Sequence, residues 1–132
     1  MVASRPMFSW GRPGNLGVKY GRLARCKRTP NCVSSQADPA DRQHYIAPLA
    51  FKGTMSDLRK AVESMPGSTV VHADSSYLYA EFRTRLLGFV DDVELFCDDA
   101  SGLAHVRSAS RLGRRDFGVN RNRIETLRRL LK

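Results

Sequence analysis

Apolar residues along this chain follow two different periods, and the change from one to the other outlines the architecture. Between Thr54 and Met65, Leu58, Ala61, Val62 and Met65 are spaced i, i+3, i+4 and i+7, which is one face of a helix. Thr54 stands where an N-cap hydroxyl belongs, Asp57 sits at N3 as a short capping box, and Pro66-Gly67 stops the helix. From Ser68 the period becomes two. Ser68 to Ala73 is rich in β-branched residues and Asp74-Ser75-Ser76 reads as a turn. Tyr77 to Thr84 then sets Tyr77, Tyr79, Glu81 and Arg83 on a wetter face and Leu78, Ala80, Phe82 and Thr84 on the other. After Arg85 to Gly88, Phe89 to Cys97 reads as a third strand, and Leu103 to Ser110 returns as a fourth across the turn Asp98 to Gly102. Strands this close together leave no room for parallel crossovers, so the sheet is expected to be an antiparallel meander. The helical period resumes with Ile124, Leu127 and Leu131, with Asn120 as expected N-cap and Val119 and Ile124 as a hydrophobic staple. The expected fold class is α+β: a four-stranded antiparallel meander with two helices in the order αββββα.

The first fifty residues hold most of the prolines and several glycines, with little apolar period, and read as a long irregular arm. Such an arm needs docking, for which Trp10, Leu16, Val18, Tyr20, Leu23, Tyr45, Ile46, Leu49 and Phe51 are available. A length of 132 residues bounds the chain at one core, and 42% hydrophobic with 27% charged residues is ordinary globular usage. There is no apolar run of the ~18 residues that span a bilayer, and the first ten residues lack a secretory h-region. The expected localisation is cytoplasmic, with no transmembrane segment. The net charge of +9 is distributed as +7 over residues 1–52, −5 over 53–104 and +7 over 105–132, so much of it can be neutralised inside one fold. Nucleic acid is disfavoured as a partner, because the basic positions are not interleaved with aromatics as an RNA-reading strand requires.

Charge concentrates on the third and fourth strands. Asp91 and Asp92 lie on one, and Arg107, Ser108, Ser110 and Arg111 on the other, followed by Arg114, Arg115 and Asp116. If Cys97 faces Leu103, Asp91 comes near Ala109 with Arg107 and Arg111 as same-face neighbours, while Asp92 faces Ser108 on the opposite side. Adjacent strand residues point to opposite faces, so Asp91 and Asp92 are poorly placed for joint acid–base work, and an Asp–Arg network is the favoured reading. Arg107, Arg111 and Arg121, with the Gly113 to Asn120 loop, could instead clamp a small anion. Ser108 and Ser110 lack a nucleophile-elbow context, and His105 has no evident carboxylate to orient it, so no triad is expected. His44 and His72 read as ordinary, partly exposed residues. Cys26 and Cys32 could form a small disulfide across Pro30, although three cysteines in total favour reduced thiols over a bridge, and zinc is least supported.

Several of these segments, taken in order, resemble the DUF1499 family, bacterial domains of unknown function with chloroplast relatives. They are Pro30-Asn31-Cys32-Val33-Ser34-Ser35-Gln36, Tyr45-Ile46-Ala47-Pro48-Leu49, and Gly88-Phe89-Val90-Asp91-Asp92-Val93-Glu94. Val106-Arg107-Ser108-Ala109-Ser110-Arg111-Leu112-Gly113 and Asp116-Phe117-Gly118-Val119-Asn120-Arg121-Asn122-Arg123-Ile124-Glu125 continue the series. Lys27 follows the first cysteine where the family commonly has proline. The resemblance divides the chain into an extended arm over residues 1–22 and a single domain over residues 23–132; it implies no reaction. The sequence therefore leads to an expectation of a non-enzymatic binding or scaffold domain with an Asp/Arg/Ser polar cluster, or else a binder of a small anionic ligand. Its partner would be such a ligand or another protein. No cofactor motif is present. The candidate residues are Asp91, Asp92, Arg107, Ser108, Ser110, Arg111, Asp116, Asn120 and Arg121.

Overall fold

A computed structural model describes residues 11–84, 88–113 and 118–132. Among these, two helices pack on one face of a single antiparallel sheet. Helix α1 (Met55–Glu63) starts on the expected capping box, with Thr54 Oγ1 accepting from the Asp57 amide and Asp57 returning a bond to the Thr54 amide. Its buried face is Leu58 and Val62, continued by Met65 beyond the helix end. Gly67 then takes φ +80°, and a Cβ there would lie 2.5 Å from the Arg83 carbonyl, so the exit from α1 admits only glycine at this spot.

Strands β3 (Ser68–Ala73), β4 (Tyr77–Arg83), β5 (Val90–Asp98) and β6 (Leu103–Ser110) form the expected meander. The sheet is nonetheless larger than four strands. β1 (Cys32–Ser34) and β2 (Leu49–Ala50), both from the stretch read as irregular, pair with β6 and give the order β1-β6-β5-β4-β3, with β2 beside β1 on the same edge. An uncovered β6 would carry a row of unpaired backbone groups, and these two short segments satisfy them. Three and two residues are too few to show a period of two, which is why sequence reading missed them.

The expected register is also one residue out. The hairpin closes at Asp98↔Leu103, because Gly102 takes φ +69° and donates to the Asp98 carbonyl at 3.0 Å. Cys97 therefore faces Ala104, and Asp92 rather than Asp91 lies opposite Ala109.

Leu78, Ala80, Val93, Leu95, Ala104 and Val106 fill the sheet's apolar face beneath Leu58, Val62, Ile124 and Leu127 of the helices. The second helix α2 (Val119–Leu130) is not capped by Asn120. Gly118 is its N-cap at φ +79°, Asn120 lies inside the first turn with its side chain buried, and Val119 is too exposed to staple anything. The opposite face of the sheet is covered by the arm. Arg12 Nε reaches Glu81 at 2.7 Å, the Gly17 amide reaches Glu94 at 2.7 Å, and the Leu23 amide reaches Gln36 Oε1 at 2.7 Å. Leu23, Ile46 and Leu49 are buried as expected, but Tyr20 stands fully exposed at the tip of the Lys19–Arg22 turn. Trp10, residues 85–87, Arg114, Arg115 and Asp116 lie outside the described residues.

Candidate ligand-binding site

The register divides the expected polar cluster between the two faces of the sheet. Asp91, Ser108 and Ser110 point to the helix side, where α2 supplies the missing partners. Arg123 Nη2 donates to Asp91 at 2.6 Å, and the guanidinium lies 4.8 Å from the centre of the Phe82 ring. Asn120 accepts from Ser108 Oγ at 2.7 Å and from Arg123 at 2.8 Å, and donates to Ser110 Oγ at 2.9 Å and the Asn31 carbonyl at 3.2 Å. This set is buried and closely bonded, and it ties α2, β6 and β1 together.

Asp92, Arg107 and Arg111 share the arm side of the sheet with Tyr77, Tyr79, Glu81 and Glu94. Arg111 grips Asp92 side-on, Nε to Oδ2 at 2.9 Å and Nη2 to Oδ1 at 2.8 Å, and also reaches Glu81 at 2.6 Å. The Tyr79 hydroxyl donates to Asp92 and, at 3.0 Å, to Glu81. Burial, then the hydrogen bond to Asp92, pushes the Tyr79 phenol far above its ordinary range, so it stays a proton donor. Tyr77 is raised in the same way, by burial and by its bond to Glu94. For Glu81, burial would raise the pKa, but Arg12, Arg111 and Tyr79 outweigh it and hold the carboxyl at about 2. Three carboxylates thus face three guanidiniums beneath the arm, those of Arg12, Arg107 and Arg111.

Arg107 is the member that the network does not satisfy. Its side chain is 7% exposed, yet among the described residues its one hydrogen bond is Nη1 to Glu94 at 3.5 Å, and its buried Nε has no partner. A buried N–H left bare costs about 1–3 kcal/mol. Arg107 lines a cavity of about 760 Å³ together with Asp92 and Arg111 of the sheet. Gly11, Pro13 and Asn15 of the arm form one wall, and Lys27, Thr29 and Asn31 form another.

That second wall is held by several devices. Cys26 and Cys32 are joined in a disulfide with Cα atoms 5.6 Å apart, so of the alternatives left open by the sequence the bridge is the one formed. Cys32 is fixed by its pairing with Ala109, and the bridge brings the preceding loop back onto the sheet edge. Asn31 donates to the Leu112 and Gly113 carbonyls at 3.3 and 2.6 Å. His44, expected to be ordinary, is 8% exposed and bridges Asp41 Oδ2 at 2.7 Å and the Thr29 carbonyl at 2.9 Å. Both partners are acceptors, so only the imidazolium satisfies both. Burial acts to lower its pKa, but the Thr29 and Asp41 bonds prevail and raise it.

The remaining expectations are met elsewhere or not at all. Arg121 does not join Arg107 and Arg111; it donates to the carbonyls of Arg42, Gln43 and Tyr45 and so fastens that loop to α2. His105 Nδ1 lies 3.0 Å from Ser35 Oγ, which also accepts from the Val106 amide, and neither Asp91 nor Asp92 is among its partners. Asp91 and Asp92, on opposite faces, contribute to separate networks. Sequence reading overlooked Glu94, Tyr77, Tyr79, Arg12 and Arg123. The first three were accessible in principle, since a period of two puts Glu94 on the Asp92 face and β4 sets its tyrosines opposite. Arg12 and Arg123 come from distant segments and leave no local signal.

The family whose sequence model matches this chain, described as a protein of unknown function, DUF1499, covers residues 22–131. The chain belongs to the DUF1499 family. Neither the curated proteins nor the solved structures give a match. The matched range of this DUF1499 domain contains the sheet, both helices and the disulfide, whereas Arg12 and Gly17, which cover the polar face, precede it. Among the described residues of this DUF1499 domain, no helix is long and apolar enough to cross a membrane.

Proposed function

We propose that this DUF1499 domain is a non-enzymatic binding module for a small anionic ligand, whose site is the cavity between the arm, the disulfide loop and the polar face of the sheet. The observation that carries the reading is Arg107, a nearly buried side chain with one long hydrogen bond among the described residues, which lines a cavity of about 760 Å³. Volumes of roughly 300–1,000 Å³ are typical of small-molecule sites. The walls are anchored from several directions, which favours a preformed site over one assembled on contact. The second polar cluster, Asp91 to Asn120, supports a structural role, because its buried groups are spent on one another beneath α2.

A thermal-shift screen of phosphates, nucleotides, carboxylates and neutral sugars tests the reading, run on the wild type and on Asn15→Trp, which places a large side chain against the cavity. A ligand at a hundred times its Kd adds about 2.7 kcal/mol of stability. The expected result is a rise in Tm for at least one compound with wild type and none with Asn15→Trp. Failure of every compound to move the wild-type Tm would refute the proposal.

A further inference from the structure

We infer that the cavity takes the oxyanion head of its ligand, a carboxylate or a phosphate, against Nη2 of Arg107, with Lys27 as a second positive centre. The inference rests on the binding reading above and adds to it the ligand group and the atoms that hold it.

The placement follows from the donors of Arg107 taken one by one. Nη1 points to Glu94 at 3.5 Å. Nε is buried without a partner, and Nη2 has none among the described residues yet is not sealed from solvent. Nε and Nη2 form one edge of the planar guanidinium, the edge that presents two parallel N–H bonds to a pair of oxygens. The neighbouring Arg111 displays the complement of that edge: its own Nε and Nη2 hold the two oxygens of Asp92 at 2.9 and 2.8 Å. Arg107 has no carboxylate of its own in this position, since Glu94 meets only Nη1 and directs its other oxygen to Tyr77 and the Gly17 amide. An external oxyanion would reach this edge at Nη2, its accessible end.

Charge points the same way. The cavity lining carries Lys27, Arg107 and Arg111 against Asp92, a formal balance of +2. Asp92 and Arg111 neutralise each other directly, which leaves Lys27 and the partly compensated Arg107 facing the ligand. Two separated positive centres favour a dianion over a monoanion.

The test is ¹H–¹⁵N NMR of the arginine Nε–H groups in the oxidised wild-type protein, titrated at constant ionic strength with sodium phosphate, sodium malonate or sodium chloride. The Arg107 Nε–H signal, assigned in the wild type by through-bond correlation to its own backbone amide, should shift saturably with phosphate, malonate or both, and not with chloride. Response to phosphate alone marks a phosphorylated ligand, response to malonate alone a carboxylate, and response to both the shared oxyanion chemistry. Arg107→Lys keeps the charge and loses the Nη2 donor, so its affinity should fall about tenfold or more, whereas Lys27→Met should lose roughly three- to tenfold. If Arg107→Lys fails to fold, the wild-type Nε–H titration still decides. The inference is overturned if neither phosphate nor malonate moves the Arg107 Nε–H, or if a folded Arg107→Lys binds as tightly as wild type. A neutral compound that stabilises wild type but not Asn15→Trp, with both anions silent, overturns the oxyanion inference and the anionic part of the proposed function, and leaves a binding cavity standing. Silence of all compounds overturns both.

Discussion

Removing Arg111 should be the most damaging single change on the polar face. Asp92 is 2% exposed and Arg111 holds both of its oxygens, at 2.9 and 2.8 Å, so Arg111→Met leaves a buried carboxylate with the Tyr79 hydroxyl as its remaining donor. Breaking a buried pair on one side costs about 3–5 kcal/mol, because the stranded charge has lost water as well as its partner. Unfolding entropy of about 2.1 cal/mol/K per residue makes each kcal/mol worth roughly 3–4 °C in a chain of 132 residues, so Tm should drop by about 11–18 °C. Asp92→Leu should cost less, since Arg111 keeps Glu81 at 2.6 Å. The double variant should be more stable than the two separate losses imply, with a coupling of about 2–3 kcal/mol. Equilibrium urea denaturation of the four proteins, disulfide intact, gives the cycle directly. Arg59→Met serves as the comparison, because Arg59 and Glu63 are about half exposed at 3.2 Å and such pairs contribute at most about 0.5 kcal/mol. A loss below about 1 kcal/mol for Arg111→Met, or additive losses in the double variant, would refute the buried-network account.

Acid should weaken the same face through Glu81: its carboxyl is held at about 2 against an ordinary 4.5, so the stability it contributes is complete above about pH 4.5 and disappears as pH falls towards 2. Glu81→Gln should flatten that limb of an unfolding curve measured against pH, and an unchanged slope would count against the Arg12–Glu81–Arg111 arrangement. His44 should act in the opposite direction. Its pKa is raised from 6.5, so its contribution is complete below about pH 6.5 and is lost as pH rises through the folded value; NMR titration should find His44 titrating above the ordinary range, and His44→Gln should remove the alkaline loss. Reduction of Cys26–Cys32 should cost about 2 kcal/mol, by release of a loop of about seven residues. Because Thr29 and Asn31 keep their other bonds while Lys27 is freed, reduction should also weaken phosphate or malonate binding without unfolding the domain, as a titration with and without dithiothreitol would reveal.

Local chemistry was enough to predict much of this architecture. The spacing of Leu58, Val62 and Met65, the Thr54–Asp57 box, the alternation through Tyr77 to Arg83 and the turn at Asp98 to Gly102 each act within a few residues, and all four appear where the sequence places them. What lay beyond reach was every decision made between distant segments. A single residue of register, set by the left-handed turn at Gly102, exchanged the roles of Asp91 and Asp92. The edge strands β1 and β2 exist because β6 offers them backbone partners, and their own two or three residues carry no period. Asn120 has the residue type of a cap, yet Ser108, Ser110 and Asn31 claim its amide. The candidate site is wholly of this second kind: Lys27, Arg107 and Asn15 meet only when arm, disulfide loop and sheet are assembled. Periodicity encodes which way a side chain faces, whereas its partners and its solvent are set by chain segments dozens of residues away.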